Sequence, residues 1–536
     1  MRTAASSFLL ALRLASTSAD VTISTASAIY EQSPTSPYVC VTMDWWPSNK
    51  CDSPDETSDC AWANASILSA PLDSPRLISA LQGLGSVTLR LGGSLADGVV
   101  YDVGRDEGVV ECKDFETSPA GDATSRMFRA GCLSSSRWLD VLSFAFDGNE
   151  GVDVLFGLNA MRGRECTNVD PTHCPCFNPE SHCSDSYDSS NAEQLVRFTA
   201  ASGYRIAGYE LGNELACLSA GSYAAAVRSI SDILRTAAED FSLPAVATLH
   251  ATDYSGYNQT FLDEFIPLAE PYLKSLNWHN YPLGAGVGCS GPTNPENNTD
   301  IDKRIMSASG MDSFFDKADA VISTLSFHGS KLAAWVGEMG GAYNSGCLGS
   351  TNSFMSAFWY LPSLGGSAAR RHDKFCRQTF IGGNYEIVDK TTLEPNPDYY
   401  AAKLFGGLMG KRVLQTDSSS SSVNAYAHCA ADGKGVALLL LNYGETSVSM
   451  PSIKTLDGGE LPVNPREEYV LTGVEIETAA DALHSNVVAL NGVTLRMVDD
   501  KLPSVKPKIV SEGNIVLPPT SYGFFVFPNW NIDACK

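Results

Sequence analysis

The chain has 536 residues, of which 44% are hydrophobic and 18% charged, the make-up of a globular protein with a sizeable core. Its 61 acidic residues outnumber 37 basic ones, giving a formal net charge of −24. That balance argues against nucleic acid or an anionic membrane as partner, because both are bound through concentrated positive charge; it also weighs against a densely sulfated polymer.

The first 19 residues have the layout of a secretory signal: Arg2, a short apolar run interrupted by Arg13, then small residues that allow cleavage after Ala19. Fifteen cysteines at irregular spacing, many of them in the first third, read as disulfides of an exported protein. A rival reading is a zinc knuckle at 172–183, from His173, Cys174, Cys176, His182 and Cys183. A Cys-x-Cys step is not the usual knuckle spacing. The odd count leaves at least one thiol unpaired or bonded between chains. Sequons at Asn64, Asn258 and Asn297 fit the same route. No apolar run approaches the roughly 18 residues of a membrane span. The expectation is a monomer without an integral membrane segment, secreted or held in a lysosome- or vacuole-like compartment.

Eight short apolar runs follow in chain order: 38–44, 87–93, 152–159, 204–214, 245–251, 275–281, 331–338 and 375–383. Between several of them lie stretches with helical periodicity, such as 191–203 and 222–241. Eight strands alternating with helices predict a (β/α)8 TIM barrel over 38–410. After the polar "DSSSSS" at 417–422 the helical period disappears and strand-like runs succeed one another to the C-terminus. This predicts an appended all-β sandwich over 411–536.

A barrel of this kind carries its chemistry at the C-terminal strand ends, and polar residues fall there. Asp44 ends the first run and Ser94 follows the second; Asn159 ends the third and Asn213–Glu214 the fourth. His279 and Tyr281 end the sixth, Glu338 ends the seventh, and Gly383 to Tyr385 follow the eighth. Glutamates at the ends of strands four and seven face each other across the mouth. Held at ~5–5.5 Å, such a pair suits a retaining glycosidase, with one carboxyl as acid/base and the other as nucleophile. Glu210, four residues before Glu214, points into the barrel one layer lower; a buried carboxylate needs a partner, and Arg90 at similar depth predicts a structural pair.

The segments "YELGNEL", "AAWVGEMGGAYNSG", "FCRQTFIGGNYEIV" and "PNPDYYAAKLFGGLMGKRVL" resemble the heparanase-like proteins of glycoside hydrolase family 79, plant-type members above all. The likeness runs from about residue 35 over nearly the whole chain. It implies a barrel whose sandwich borrows a strand from the N-terminal segment, here 20–37. It implies Glu214 as acid/base, Glu338 as nucleophile, and Asp44, Ser94, Asn213, His279 and Tyr281 around the cleaved sugar. In "GGNY" it implies that the Gly383 amide and the Tyr385 hydroxyl bind a glucuronic acid carboxylate, and in Cys429 and Cys535 a disulfide of the sandwich. No cofactor or metal is implied. The chain departs from mammalian heparanases in the short, mixed-charge segment 104–132 and in the cysteine-rich insertion 165–188. The implied activity is hydrolysis of β-linked glucuronic acid from a glycan or conjugate. The alternatives are endo-cleavage of a heparan-sulfate-like polymer and a carbohydrate-binding homologue without catalysis.

Overall fold

The computed structural model describes residues 17–50, 60–104, 112, 115, 131–167, 182–286, 300–474 and 482–536. Most of the N-terminal leader, Asn297, and the His173, Cys174 and Cys176 part of the cysteine cluster lie outside these residues.

Eight parallel strands close into a barrel: β1 (Val39–Asp44), β2 (Val87–Gly92), β3 (Val152–Leu158), β4 (Gly208–Leu211), β5 (Thr248–Ser255), β6 (Ser275–His279), β7 (Ala333–Met339) and β8 (His372–Arg377). Strand β8 pairs back onto β1, with Cys376 level with Cys40, and these two cysteines form a disulfide. The strands are buried nearly end to end, as parallel strands with both faces covered must be. Amphipathic helices such as Ser190–Ala201 and Ala220–Asp240 cover the outside. The second is capped by Ser219, which accepts a hydrogen bond from the Ser222 amide.

The eight predicted runs all become barrel strands, but the fourth shortens to Gly208–Leu211 and two others are displaced. The fifth begins and ends later than its apolar run, reaching Ser255, and the eighth ends at Arg377 instead of 383. Both displacements matter at the site.

Beyond the barrel the strands are antiparallel. One sheet carries Arg466–Gly473, Ser521–Phe527, Val436–Asn442, Val423–Ala430 and Met409–Leu414 side by side and ends on Tyr30–Glu31 of the N-terminal segment. Two smaller sheets face it. One contains Val21–Ile23 paired with Thr416–Ser418 and Ser452–Thr455; the other contains Val448–Met450 and Ile515–Leu517. The strand "VALLLLN" (436–442) explains the join between the layers. Leu438 and Leu440 pack inside the sandwich with Val21, Ile23 and Phe525. Ala437, Leu439 and Leu441 point the other way, into the core that continues through the barrel helices. Alternation along one strand thus fuses sandwich and barrel.

Two segments depart locally from the sequence pattern. The serine run is not wholly loop, since Thr416–Ser418 forms a strand against Val21–Ile23. "VTLRMV" gives only a two-residue strand, Val493–Thr494, in which both residues are exposed, so it has no core face to bury.

Disulfides join Cys112 to Cys132, Cys166 to Cys183 and Cys429 to Cys535; Cys60 and Cys217 are also disulfide-bonded. With Cys183 oxidised, the zinc knuckle loses one of its thiolates. Among the described residues no helix is long and apolar enough to cross a membrane.

Candidate active site

Arg90 is the hub. It sits mid-strand on β2, 1% exposed, and uses three nitrogens on three partners. Nε donates to Glu210 Oε2 at 2.6 Å, Nη1 to Glu338 Oε2 at 2.8 Å and Nη2 to Asn213 Oδ1 at 3.1 Å. Nη2 also lies 3.6 Å from Asp253 Oδ1. The second oxygen of Glu210 accepts from Asn277 Nδ2 at 2.7 Å. The Arg90–Glu210 pair therefore has a structural half and a half that reaches Glu338 directly.

Glu338, on β7, accepts a second bond from the Tyr281 hydroxyl at 2.5 Å. Burial opposes its ionisation, but the charges of His279 and Arg90 and the hydrogen bonds outweigh burial and hold its carboxyl below the ordinary value. Glu214 stands just beyond β4 with φ +57. One oxygen each of Glu214 and Glu338 and a nitrogen of His279 lie within 4.8 Å of one another. Carboxyl oxygens this close suit the retaining geometry, in which the two carboxyls stand ~5–5.5 Å apart, better than the ~6.5–9.5 Å of an inverting pair.

His279 lies between carboxylates. Its Nδ1 is 2.9 Å from Glu214 Oε1 and its Nε2 3.1 Å from Asp253 Oδ1. Both ring nitrogens lie at hydrogen-bond distance from carboxyl oxygens, so the ring is placed to donate from both, as an imidazolium does. Burial works against that charge, yet Glu338, Asp253 and Glu214 together push its pKa up to about 10. His279, expected around the cleaved sugar, is fully buried and has both nitrogens engaged on carboxylates. Glu214, His279 and Glu338 are spaced closely enough to ligate a cation, but only if His279 gives up a proton that three acids favour. A second such group, Asp102 with Cys112 and Cys132, has its sulfurs tied in a disulfide.

The remaining predicted residues surround this cluster. Asp44 ends β1, buried, and accepts from Gln378 Nε2 at 2.9 Å. Burial, then the charge of Glu338, pushes its carboxyl well up. Gly93, at φ +93, makes room for it, because a Cβ there would come within 2.6 Å of the Asp44 carboxylate. Ser94 begins a short 3-10 helix, Ser94–Gly98, whose Asp97 accepts the backbone amides of Ala160 (2.7 Å) and Asn213 (2.8 Å). Asn213 Nδ2 is buried with no hydrogen-bond partner. Asn159 turns its own loop, accepting from the Met161 and Arg162 amides.

Tyr385 packs edge-on to Trp62 at 6.2 Å, and its hydroxyl lies 3.5 Å from Gln378 Nε2. The Gly383 amide, expected to bind a carboxylate, donates instead to the Ala61 carbonyl at 2.8 Å. The turn is held from below by buried Glu386, which accepts the Gly382 amide at 2.7 Å. Of the sequons, Asn64 is exposed, whereas Asn258 caps the helix Gln259–Ala269 and donates to the Tyr254 hydroxyl at 3.0 Å. A separate cavity of about 210 Å³ opens at the opposite strand ends, lined by Asp153, Tyr204, Arg205 and Tyr209 among others, and contains none of these residues.

Asp253, Gln378 and Asp97 were missed in the sequence. Asp253 lies in β5 beyond the end of its apolar run, and Gln378 lies just past β8, which ends earlier than its run. Asp97 carried no local signal beyond its position three residues after Ser94.

A closed barrel that brings two glutamates together at the ends of its fourth and seventh strands defines a class, and the chain is a glycoside hydrolase. Residues 18–365 match the family model described as Glycosyl hydrolase family 79, N-terminal domain. The chain belongs to that family. It is 31% identical to heparanase-like protein 3 of Arabidopsis thaliana over 93% of this chain and 91% of the relative. It is 32% identical to baicalin-beta-D-glucuronidase of Scutellaria baicalensis over 88% and 85%. The crystal structure of a 4-O-alpha-L-rhamnosyl-beta-D-glucuronidase from Fusarium oxysporum 12S superposes with a TM-score of 0.57 at 16% identity, covering 94% of this chain and 100% of the other. At that identity the likeness is one of fold.

Proposed function

We propose that the enzyme removes β-linked glucuronic acid from a glycan or glucuronide conjugate by double displacement, with Glu338 as nucleophile and Glu214 as acid/base. The observation that carries this reading is the short Glu214–Glu338 separation, with Glu338 held ionised by Arg90, Tyr281 and His279. In the first step Glu338 attacks the anomeric carbon while Glu214 passes its proton to the departing oxygen, leaving a glycosyl ester on Glu338. In the second step Glu214 takes a proton from water, the water oxygen attacks the same carbon and the ester breaks. His279 donates to one oxygen of Glu214, so the other oxygen handles the proton. The buried, unpartnered Asn213 Nδ2 suits the sugar 2-hydroxyl, a contact that strengthens in the transition state.

For the uronic acid itself, the Tyr385 hydroxyl is the neutral donor we assign to the carboxylate. The Gly383 amide joins it only if the Ala61 peptide turns away. The relatives named for glucuronide cleavage support the same substrate class. The disulfides favour an oxidising compartment reached through the secretory pathway, and the barrel site, built from one chain, requires no partner copy.

The test compares a chromogenic β-glucuronide, the matching β-glucoside and a heparan sulfate oligosaccharide at mildly acidic pH. Cleavage of the glucuronide, absent in Glu338→Gln, is the expected result. Turnover of the oligosaccharide alone would move the reading to an endo-acting enzyme, and preference for the glucoside would remove the uronate assignment.

A further inference from the structure

Asp253 belongs to none of the roles assigned so far. It lies in β5 where the pairing with β6 slips, between Thr252 and Tyr254, and its φ is +48. Left-handed backbone is unfavourable for a residue with a side chain, though Asp tolerates it better than most. Glu214 has the same unusual backbone, φ +57, and the two are joined: the Glu214 amide donates to the Asp253 carbonyl at 2.7 Å. The Asp253 side chain is fully buried, with Oδ1 beside His279 Nε2 and Oδ2 without a partner. An interior carboxylate oxygen left unpaired is costly. Strand β7, on the far side of β6, also makes room for this carboxylate: a Cβ on Gly337 would lie 2.9 Å from Asp253 Oδ1.

We propose that Asp253 is a positioning residue for the acid/base glutamate, acting through its carbonyl on the Glu214 backbone and through His279 on the Glu214 carboxylate. The inference rests on Glu214 and Glu338 having the roles given above. Asp253 joins Glu338 and Glu214 in favouring the doubly protonated ring and holds it through Nε2, and the imidazolium then presents Nδ1–H to Glu214 and a positive charge to Glu338. The charged groups around His279 are Glu210 from β4, Glu214 just beyond it, Asp253 from β5, Glu338 from β7, and Arg90 of β2, which bridges Glu338 and Asp253. Asp44 of β1 faces Glu338.

The sign is diagnostic. In Asp253→Asn the backbone carbonyl stays and the anion goes. If His279 thereby loses its proton, the nearer positive charge disappears, and both limbs of the kcat/KM–pH bell move to higher pH by about one unit, the scale of a close charge partner. If Asp253 acted only as a distant negative charge, its loss would move both limbs down; if it were only packing, they would stay while stability fell. Either result overturns the proposal. In a His279→Gln background, Asp253→Asn is expected to move the limbs no further, and a further shift would contradict action through His279. Should Asp253→Asn fail to fold, ¹⁵N-histidine spectra of the wild-type chain decide: His279 protonated on both nitrogens at neutral pH is required, and a neutral ring refutes the proposal. Glu338→Gln, run alongside, separates this from failure of the catalytic reading, since undiminished turnover there would remove the nucleophile itself.

Discussion

Arg90 touches Glu210, Asn213 and Glu338 from a position with 1% exposure, so its removal strands two buried acids at once. Breaking a buried pair from one side costs about 3–5 kcal/mol. Arg90→Met is expected to lose that much in denaturant unfolding and to lose turnover with it; unchanged stability would mean the guanidinium network is not a net support. His279 gives a pH signature. Its folded value, about 10, lies above its ordinary 6.5, so its contribution is fully present below 6.5 and is lost as pH rises through 10. The slope for one proton is about 1.4 kcal/mol per pH unit. Asp44 and Glu210, also raised by burial, act in the same sense, whereas Glu338, lowered, loses its contribution as pH falls. Buried Lys374, lowered to about 7, acts in the opposite sense over part of the His279 range, so the His279 contribution is read as a difference. From about pH 6.5 to 10 the unfolding free energy should lose more with rising pH in wild type than in His279→Gln, and identical slopes would contradict the protonated ring. At this scale the sequence revealed residues whose position follows from strand order, such as Glu214 and Glu338. It did not reveal that both His279 nitrogens are engaged or that Ala61 occupies the Gly383 amide, because both depend on loops meeting from distant parts of the chain.

Strands of the barrel were legible because continuous apolar runs are what a two-sided parallel sheet demands. Their ends were less so. The fifth run looks complete at Ala251, but the strand continues through polar Thr252, whose hydroxyl donates to the Asn277 carbonyl of β6, and Asp253, whose carboxylate faces His279. The eighth ends early, leaving Gln378 at the mouth beside Asp44. Functional side chains interrupt the hydrophobic pattern, which is why the pattern misplaces the ends that carry function. The turn after β2 gives a prediction. Gly93→Ala puts a Cβ into the Asp44 carboxylate on a backbone at φ +93, a conformation strained for any side chain. Turnover is expected to fall at least tenfold, with far-UV dichroism unchanged. Wild-type rates in that variant would mean Asp44 has room to move without consequence.

The whole molecule is held by a core that runs from the barrel onto one face of the long sandwich sheet, by a second core inside the sandwich, and by cross-links between remote parts of the chain. Cys429–Cys535 closes a separation of 106 residues, and loop-closure entropy puts its contribution at about 2–5 kcal/mol. Cys429→Ser should lower the melting temperature while leaving kcat near wild type, because the sandwich holds none of the site residues; lost turnover in a folded variant would show that the layers are coupled catalytically. The acidic surface and the two-domain succession were readable from composition and periodicity. The N-terminal strand addition came from family resemblance alone, since three residues, Val21–Ile23, are too few to carry a pattern. The central claim, that Glu214 and Glu338 act together with retention, has one direct measurement: proton NMR of the first sugar released from a β-glucuronide, recorded before mutarotation. The β-anomer appearing first is the predicted result. The α-anomer first would contradict the double displacement and, with it, the role of Glu338 as nucleophile.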